Sequence, residues 1–393
     1  MSDGYPCPSC RRAPMEVFYA ADRIPVHSCM MLDRREKALA FPTRDLVLGF
    51  CSQCGFVSNV LFDSSVQKYT VGYEEQQSFS PRFRSFQSDL VAGLIERYDL
   101  VGKDIVEIGC GKGDFLVELC EVGNNRGVGI DPACDPERME KRGGGRVRFL
   151  AELYSDRHAE LPCDFLCCRH TLEHIHPVGD FIFKIRRVVD NNKETIIFFE
   201  VPDAERVLRE QAFWDIYYEH CSYFSLGSLA RLFRKNCFDV IELAKDFDDQ
   251  YLLIVARPVV GPTHSCLPEE DDLRMITEEA AAFTPRTQAG ITDLRARITA
   301  LREAGKHIAI WGSGSKCVSF LSALGDRDGI DAVVDINPHR HAKFLAGSGT
   351  QVVSPEVLLK DPIDVILVMN PIYRAEIQDQ LEEMGVAAEL ICL

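Results

Sequence analysis

The sequence lacks the features that mark secreted and membrane proteins. Its longest apolar runs, such as Ile196–Phe199, are far too short to span a bilayer. The first residues, Met1–Tyr5, contain no basic stretch and are not followed by an apolar run, so we predict no signal peptide. We therefore expect a cytoplasmic protein that has no contact with a membrane.

Basic residues are also in short supply. The 393 residues include 44 Lys and Arg but 60 Asp and Glu, which gives a formal net charge of −16. Proteins that bind long nucleic acids usually present a basic face, so this balance argues against a nucleic-acid partner without excluding a local basic patch. The hydrophobic fraction of 46% is typical of a globular chain, and the length allows two or three domains.

Cysteine, in contrast, is abundant, and four of the 16 cysteines form two close pairs. The first pair is Cys7 and Cys10, the second is Cys51 and Cys54, and Gly55 follows where a turn needs a permissive backbone. Each pair allows two thiolates to reach one ion, and four soft thiolates in a tetrahedron suit Zn²⁺. We predict a structural zinc site without an open position; the alternative is a pair of redox dithiols.

The chain divides by composition into four segments. Residues 1–75 show little helical periodicity, 76–258 alternate apolar runs with helical patterns, 259–304 contain a linker and a helix with a potential break at Pro285, and 305–393 resume the alternation. Alternating strands and helices indicate mainly parallel, doubly wound sheets. The predicted strands are 104–108, 127–130, 147–150, 165–168, 195–200, 252–256, 308–311, 332–335 and 364–369.

The first of these strands runs into a glycine loop. Glu107 leads the loop, and Gly109, Cys110, Gly111 and Gly113 follow it before a helix begins. Glycines permit a tight turn and allow the backbone to approach a ligand closely. A dinucleotide loop would read G-x-G-x-x-G, whereas the pattern E-x-G-x-G-x-G is the usual S-adenosylmethionine loop of class I methyltransferases.

An acidic residue supports this interpretation. Asp131 ends the second strand, where its carboxylate can accept hydrogen bonds from both ribose hydroxyls of a nucleoside. The sequence therefore predicts S-adenosylmethionine binding by Glu107, the loop and Asp131. The alternatives are a nicotinamide cofactor loop and a plain turn.

The segment after the fifth strand of the sheet contains a Tyr-Tyr-Glu-His run. In this topology the segments after strands four and five border the site of the methyl acceptor. Neutral His220 could accept a proton there, with Glu219 orienting it or sharing its charge, and Tyr217 could form a hydrogen bond with a carbonyl or hydroxyl of the substrate. The alternative is a helix-capping or core histidine.

The C-terminal segment contains a second glycine loop, Gly312–Cys317, with Asp335 ending the next strand. Cys317 stands where a dinucleotide loop has its third glycine. Three interpretations stay open: a nicotinamide site, a site for substrate phosphates that uses the helix N-terminus and Lys316, and a structural turn.

Together these motifs resemble one family, the three-domain S-adenosylmethionine-dependent sugar C-methyltransferases, which act on nucleotide-linked ketosugars. The resemblance covers nearly the whole chain and implies an α/β fold. In that fold, a class I Rossmann-like methyltransferase domain is flanked by a small N-terminal zinc-binding domain and a C-terminal Rossmann-like α/β domain. It rests on the cysteine pairs and on Glu107–Gly113, Ile216–His220, Tyr223–Ser225, Trp311–Lys316 and Val334–Pro338.

The resemblance implies roles for five residues. His220 would remove a proton from the carbon next to a ketone, assisted by Glu219 and Tyr217, and the enolate would take the methyl group and leave S-adenosylhomocysteine. Tyr73 matches a family tyrosine over the substrate, and His174 matches a family histidine near the acceptor. The implied partner is a small-molecule acceptor such as a nucleotide sugar, and we expect a monomer or a homodimer.

The sequence departs from the family at two places. His170 stands where the family often has Asn, and Asp246–Tyr251 replaces a stretch that usually reads His-Gly-Gly. These differences leave the acceptor, and even the nucleotide-sugar class, open. Two other hypotheses also stay open: an RNA base methyltransferase, since some of these combine a four-cysteine zinc module with this core, and a non-enzymatic cofactor-binding scaffold.

Overall fold

The computed structural model describes residues 4–70, 72–134, 139, 142–189, 194–261, 265–325 and 329–393. Within these residues the chain forms three β-sheets, of four, seven and five strands. The larger two sheets alternate with helices along the chain, which confirms the predicted α/β fold class. The domain boundaries at residues 75, 258 and 304 stay a prediction.

The N-terminal sheet is antiparallel. One cysteine pair precedes its first strand, and the other lies between its second and third strands. A short helix, α1 (Arg35–Leu39), lies between its first two strands. The last strand comes from far along the chain, just after His220, so the N-terminal sheet and the His220 segment are held together by backbone hydrogen bonds. The strands, in the order of the sheet, are β1 (Glu16–Pro25), β2 (Thr43–Phe50), β3 (Val57–Asn59) and β9 (Ser222–Tyr223).

The central sheet has seven strands, of which the first five along the chain are parallel. The last two are antiparallel and close one edge. The strands, in sheet order, are β10 (Phe238–Asp246), β11 (Tyr251–Pro258), β8 (Ile196–Pro202), β7 (Phe165–Arg169), β4 (Asp104–Ile108), β5 (Arg126–Ile130) and β6 (Val147–Leu150). The helices are α2 (Pro81–Tyr98), α3 (Asp114–Val122), α4 (Val178–Val188), α5 (Ala204–Arg209) and α6 (Leu226–Lys235).

The strand order places the candidate residues beyond the carboxyl ends of the parallel strands of this sheet. The chain leaves β4 towards β5 on one side and later returns to β7 on the other, so the loops after β4 and β7 diverge and leave a crevice. Ligands of open α/β sheets bind at such a reversal, beyond the carboxyl ends of the strands. The glycine loop, Asp131 and the segments after β7 and β8 all lie at these ends.

The C-terminal sheet is entirely parallel. Its strands, in sheet order, are β14 (Val352–Val353), β13 (Ala332–Val334), β12 (Ile308–Trp311), β15 (Val365–Val368) and β16 (Glu389–Cys392). The accompanying helices are α7 (Leu273–Glu303), α8 (Ser315–Leu324) and α9 (Arg374–Met384). Residues 262–264 of the predicted linker lie outside the described residues.

The suggested break at Pro285 is wrong, because α7 continues through this residue. Phe283 is fully buried and packs edge-on against Tyr19 of β1, with ring centroids 5.2 Å apart. Packing on both sides of the proline therefore outweighs the one helical hydrogen bond that it cannot donate. No helix within the described ranges combines the length and the apolar character needed to cross a membrane.

Candidate active site

A cavity of about 770 Å³ lies where the three sheets meet. The glycine loop after β4, the segments after β7 and β8 and the second glycine loop after β12 all contribute to its wall. The N-terminal segment contributes Tyr73 and its neighbours. The structure thus brings most of the predicted cofactor residues to one cavity, together with Tyr73, His174, Tyr217 and His220.

The glycine loop borders this cavity with bare backbone. Gly109, Gly111 and Gly113 have φ angles of 73°, 51° and 77°, in the left-handed region that side chains disfavour. A Cβ on Gly109 would lie 1.8 Å from Oγ1 of Thr171, and one on Gly111 would lie 2.6 Å from Oε1 of Glu75. The loop therefore requires glycine both for its turn and for the close approach of its neighbours.

Glu107 reaches the cavity from β4 and has an unsatisfied carboxylate. Only 3% of the residue is exposed, and Oε2 has no hydrogen-bond partner among the described residues. Burial raises the pKa of Glu107 to about 8; the Arg169 guanidinium opposes this rise and Asp131 adds to it. A buried acceptor without a donor costs free energy, and a donor on a bound ligand would remove that cost.

Asp131 lies beside the glycine loop, as its position after β5 predicts. Oδ2 accepts a hydrogen bond from the backbone N–H of Gly111 at 3.0 Å, and Oδ1 accepts one from Ala133 at 2.6 Å. Burial raises the pKa of Asp131, while these backbone N–H groups oppose the rise. Cys110, the remaining loop residue, points its Sγ at Sγ of Cys134, 3.5 Å away.

The four N-terminal cysteines converge on one point. All four are buried, and their Sγ atoms all lie within 4.8 Å of one another, a geometry that could hold a metal ion. Backbone N–H groups of Cys10 and Arg12 donate to Sγ of Cys7 and Cys10, each at 3.4 Å. N–H groups that point at sulfur favour the thiolate form, which is the form that binds metal.

His220 faces the cavity among aromatic rings. Its imidazole lies edge-on to His174, with centroids 4.7 Å apart, and to Tyr217, with centroids 4.5 Å apart. Burial lowers the pKa of His220 well below its usual value, and the neighbouring His174, His170 and Lys316 lower it further. The ring is therefore neutral at physiological pH and able to accept a proton.

His174 and Glu173 complete a small cluster with His220. Nδ1 of His174 lies 2.9 Å from the hydroxyl of Tyr69, which holds the ring in place. Glu173 is 2% exposed, and its Oε2 has no hydrogen-bond partner among the described residues. One ligand atom from each of Glu173, His174 and His220 lies within 4.8 Å of the other two, so this cluster could also hold a metal ion.

Glu219 does not face His220 in the way that the sequence suggested. Its carboxylate accepts hydrogen bonds from Nδ1 of His27 at 2.9 Å and from both the backbone N–H and the hydroxyl of Ser28. No hydrogen bond within the described chain joins Glu219 to His220, so the expectation that Glu219 orients the base is wrong. The adjacent residues 219 and 220 contact different neighbours: Glu219 binds His27 and Ser28, whereas His220 packs against His174 and Tyr217.

The hydrogen bonds of His27 show which of its ring nitrogens carries the proton that faces Glu219. The backbone N–H of Lys68 donates to Nε2 of His27 at 2.9 Å, so Nε2 carries a lone pair and the proton lies on Nδ1. That proton points at Glu219. Burial alone would raise the pKa of Glu219, but the hydrogen bonds from His27 and Ser28 lower it. Glu219 is therefore an ionised carboxylate inside the protein.

The two candidate tyrosines are held by carboxylates. The hydroxyl of Tyr73 donates to Oε1 of Glu219 at 3.4 Å, and the hydroxyl of Tyr217 donates to Oδ1 of Asp215 at 2.8 Å. Burial raises the pKa of both phenols well above the ordinary value, so both keep their protons. Each tyrosine therefore presents a fixed ring and a neutral hydroxyl to the cavity.

The two departures from the family pattern meet in the structure. The ring of His170 lies against Tyr251, with centroids 4.4 Å apart, and Nε2 of His170 forms an ion pair with Glu200 at 2.7 Å. Burial disfavours the charged imidazole, but Glu200 and Glu173 outweigh it and raise the pKa of His170 to about 9. The cavity wall thus carries a protonated histidine at this point.

The second glycine loop also reaches the cavity. Oδ2 of Asp335 accepts hydrogen bonds from the backbone N–H and the hydroxyl of Ser313, at 2.8 and 2.5 Å. Lys316 is partly buried and forms an ion pair with Asp215 of the segment after β8. Helix α8 begins at Ser315 without a side-chain cap.

Sequence reasoning missed several residues that lie in the cavity wall or directly behind it. His27 and Ser28 carry no spacing signal, since their partner Glu219 is far away in the chain. Glu75 and Asp215 stand two residues from the predicted Tyr73 and Tyr217, so a search for charged neighbours of those tyrosines would have found them.

Comparisons with known proteins agree with this geometry. A family model described as a methyltransferase domain matches residues 81–243. A second model, described as a C-methyltransferase C-terminal domain, matches residues 256–391. C-methyltransferase NovU from Streptomyces niveus is 28% identical over 315 residues, which cover 75% of this chain and 73% of NovU.

Solved structures with a similar central region include two methyltransferases. The 1,6-didemethyltoxoflavin-N1-methyltransferase of Burkholderia thailandensis is 19% identical, with a TM-score of 0.35, and the match covers 44% of this chain and 79% of that enzyme. Magnesium protoporphyrin IX methyltransferase of Synechocystis PCC 6803 is 14% identical, with a TM-score of 0.35, over 45% of this chain and 84% of that enzyme.

The two family models follow one another along the chain, and the four-cysteine module precedes both. NovU matches across most of the length. This chain is therefore an S-adenosylmethionine-dependent methyltransferase, in which a methyltransferase domain is followed by a C-methyltransferase C-terminal domain.

Proposed function

We propose that this enzyme methylates a carbon atom next to the ketone of a nucleotide-linked ketosugar, with His220 as the general base. The observation that carries the proposal is the position of His220. It is a neutral imidazole in the cavity that the glycine loop borders. The family resemblance supplies the acceptor class, and the geometry supplies a base beside the proposed cofactor site.

The cofactor site is proposed to consist of Glu107, Gly109, Cys110, Gly111, Gly113 and Asp131. The fit rests on the unpartnered Oε2 of Glu107 and on the bare glycine backbone. S-adenosylmethionine, when bound, supplies an electrophilic methyl group that a carbon nucleophile can take up. Glu107 would accept hydrogen bonds from the ligand, and Asp131, already fixed by Gly111 and Ala133, would accept them from ribose hydroxyls.

The proton-transfer step follows from the state of His220. Its unprotonated nitrogen takes a proton from the carbon next to the ketone, the C–H electron pair becomes the enolate, and the imidazole becomes imidazolium. Burial opposes that charge in the free enzyme, and the enolate formed beside it provides the compensating negative charge. His174, held by Tyr69, packs against the base and limits its movement.

The two tyrosines and Glu219 are proposed to shape the acceptor site. Glu219 holds the hydroxyl of Tyr73, while Asp215 holds that of Tyr217, so both rings are fixed in the cavity wall. The phosphates of a nucleotide-linked acceptor would use the backbone N–H groups at the start of α8, where no side chain caps the helix.

The four N-terminal cysteines are proposed to bind one structural Zn²⁺. The support is the convergence of four buried sulfur atoms with N–H···S hydrogen bonds around them. With four protein ligands the ion would have no open position for chemistry. Metal analysis should find one zinc per chain; a second ion would indicate that Glu173, His174 and His220 bind metal and that His220 is not free to act as a base.

The proposed setting is the cytoplasm, where the enzyme would act as a monomer or homodimer on a small molecule and not on nucleic acid. The acidic net charge of −16 supports the last point. Salt-sensitive binding to RNA fragments would instead favour an RNA base as the acceptor.

The test is turnover with a panel of nucleoside diphosphate-linked ketosugars, measured as S-adenosylhomocysteine formed. His220→Ala should lower kcat by about 100-fold or more while leaving the Kd for S-adenosylmethionine unchanged, because a positioned base contributes about that factor. His307→Ala is the matched control, since His307 lies on an exposed surface beside Asp331. Unchanged turnover of His220→Ala would exclude the role of the base.

A second measurement isolates the proton transfer. The wild-type enzyme should exchange the hydrogen next to the ketone with deuterium from D₂O, and His220→Ala should not. Exchange that persists in His220→Ala would assign the base to another residue.

A further inference from the structure

Glu75 lines the same cavity as Glu107, in the wall of the proposed cofactor site. It comes from the segment before α2, outside the glycine loop. Its Oε1 lies so close to the loop that a Cβ on Gly111 would be 2.6 Å away. Its Oε2, like that of Glu107, has no hydrogen-bond partner among the described residues.

The charges around Glu75 do not balance. Asp131 and Glu107 add two further carboxylates to this wall, and Glu107 is only 3% exposed. The nearest cation is Lys112, whose Nζ is 3.8 Å from Oε2 of Glu75. That ammonium group already donates to the backbone carbonyls of Tyr73 and Ala133, at 3.0 and 3.2 Å.

Unpaired carboxylates in a low-dielectric site are expensive unless a cation or several donors compensate them. Burial raises the pKa of Glu75 to about 7, with Lys112 opposing the rise and Asp131 adding to it, which is the behaviour of a carboxylate without a sufficient partner. A ligand that carries positive charge would supply what the protein lacks at this wall.

We propose that Glu75 and Glu107 together bind the ammonium group at the amino-acid end of S-adenosylmethionine, with Glu75 as a cofactor-binding residue contributed from outside the glycine-loop motif. This inference rests on the proposed cofactor site. Within this site, Asp131 would bind the ribose hydroxyls, and the two glutamates would bind the ammonium group. It also explains why Gly111 faces a carboxylate at such short range.

The test is calorimetric binding of three ligands to the full-length Glu75→Gln variant. S-adenosylmethionine and S-adenosylhomocysteine both carry the ammonium group, whereas 5′-methylthioadenosine lacks the amino-acid end. Glu75→Gln should weaken the first two ligands about tenfold, as expected for the loss of one charged hydrogen bond, and should change the third less than about twofold.

The matched control is Glu74→Gln. Glu74 is a buried neighbour that accepts a hydrogen bond from Asn337 at 3.1 Å and is not part of the cavity wall. This variant should bind all three ligands like the wild type. The melting temperature of each variant is measured alongside binding, and a melting temperature of Glu75→Gln close to that of the wild type excludes misfolding as the cause of weak binding.

The outcomes separate this inference from the proposed function. If the wild type binds S-adenosylmethionine and Glu75→Gln binds it equally well, the role of Glu75 is wrong and the cofactor site stands. If Glu75→Gln weakens 5′-methylthioadenosine as much as the other two ligands, the assignment to the amino-acid end is wrong. If the wild type binds none of the three, both proposals are wrong.

Discussion

Two glycine loops face the same cavity, and they are built alike. Each loop follows the strand that comes first along the chain in its sheet, and each leads into a helix. An aspartate at the end of the next strand lies beside each loop. Asp131 accepts a hydrogen bond from Gly111 at 3.0 Å, and Asp335 accepts one from Ser313 at 2.8 Å. From the backbone alone, either loop could hold a nucleoside.

The loops differ in how completely their polar groups are paired. Glu107, two residues before Gly109, is buried with an unpartnered oxygen, whereas the corresponding residue before the second loop is the buried, apolar Ile310. Both aspartates accept hydrogen bonds on both oxygens, Asp131 from Gly111 and Ala133 and Asp335 from Ser313 and Asn337, so the difference between the loops rests on Glu107. The comparison teaches that similar loops can be told apart by the polar groups that the protein leaves unsatisfied.

The sharpest way to test this difference is to place a methyl group on each loop. Gly111→Ala should weaken S-adenosylmethionine binding by about 100-fold, because φ is 51° and the new Cβ would meet Glu75. Gly314→Ala should change the Kd less than about twofold, since the nearest side-chain atom to its Cβ is 3.5 Å away. Calorimetry measures both, and equal losses would show that the loops do not differ.

A change of pH should affect only the first loop. The carboxyl groups of Glu75 and Glu107 have pKa values raised to about 7 and about 8, so they are largely protonated below these values in the free enzyme. A cationic ligand binds the ionised forms, so the Kd for S-adenosylmethionine should fall at least about tenfold between pH 6 and pH 9. A Kd that is constant over this range would contradict the charge assignment.

The same ionisation has the opposite effect on the stability of the free enzyme. A carboxyl group whose folded pKa lies above its unfolded value binds its proton more tightly in the folded chain. Stability from Glu75 and Glu107 is therefore lost as the pH rises through about 7 and about 8. Urea unfolding of the ligand-free enzyme should therefore show a smaller contribution of these two groups to the free energy of unfolding at pH 9 than at pH 6.

The sequence predicted the strands and the cofactor loop correctly where they depend on short-range sequence patterns. The strand over 104–108 and the loop with Asp131 were predicted because buried runs, glycine spacing and a strand-ending aspartate are all short-range patterns. Strand β10 (Phe238–Asp246) was not predicted, because its inward and outward residues do not alternate cleanly. Strand β16 (Glu389–Cys392) has only two apolar residues in its centre and was missed as well.

The acceptor side of the site depends on long-range contacts and was predicted less well. His220 was identified from its segment, but the partner of Glu219 is His27, which comes from the N-terminal sheet. Only the pairing of β3 with β9 brings these residues together. No spacing along the chain encodes such a contact, so the predicted Glu219–His220 pair could not have been rejected from the sequence.

The smallest expected effect concerns the second loop and stability. Asp335→Asn should lower the free energy of unfolding by about 1–2 kcal/mol, because the amide cannot accept all three hydrogen bonds from Ser313 and Asn337. Its Kd for S-adenosylmethionine should not change. Asp131→Asn should also weaken cofactor binding, because Asp131 belongs to the proposed cofactor site. Urea unfolding and calorimetry on both variants measure the two effects separately.

The central claim is that the first loop, and not the second, holds the cofactor. A crystal structure of the enzyme soaked with S-adenosylhomocysteine tests it most directly. We predict one molecule per chain, with its ribose on Asp131 and its amino-acid end between Glu75 and Glu107. Density for the ligand at Gly312–Cys317, with none at Gly109–Gly113, would contradict the account.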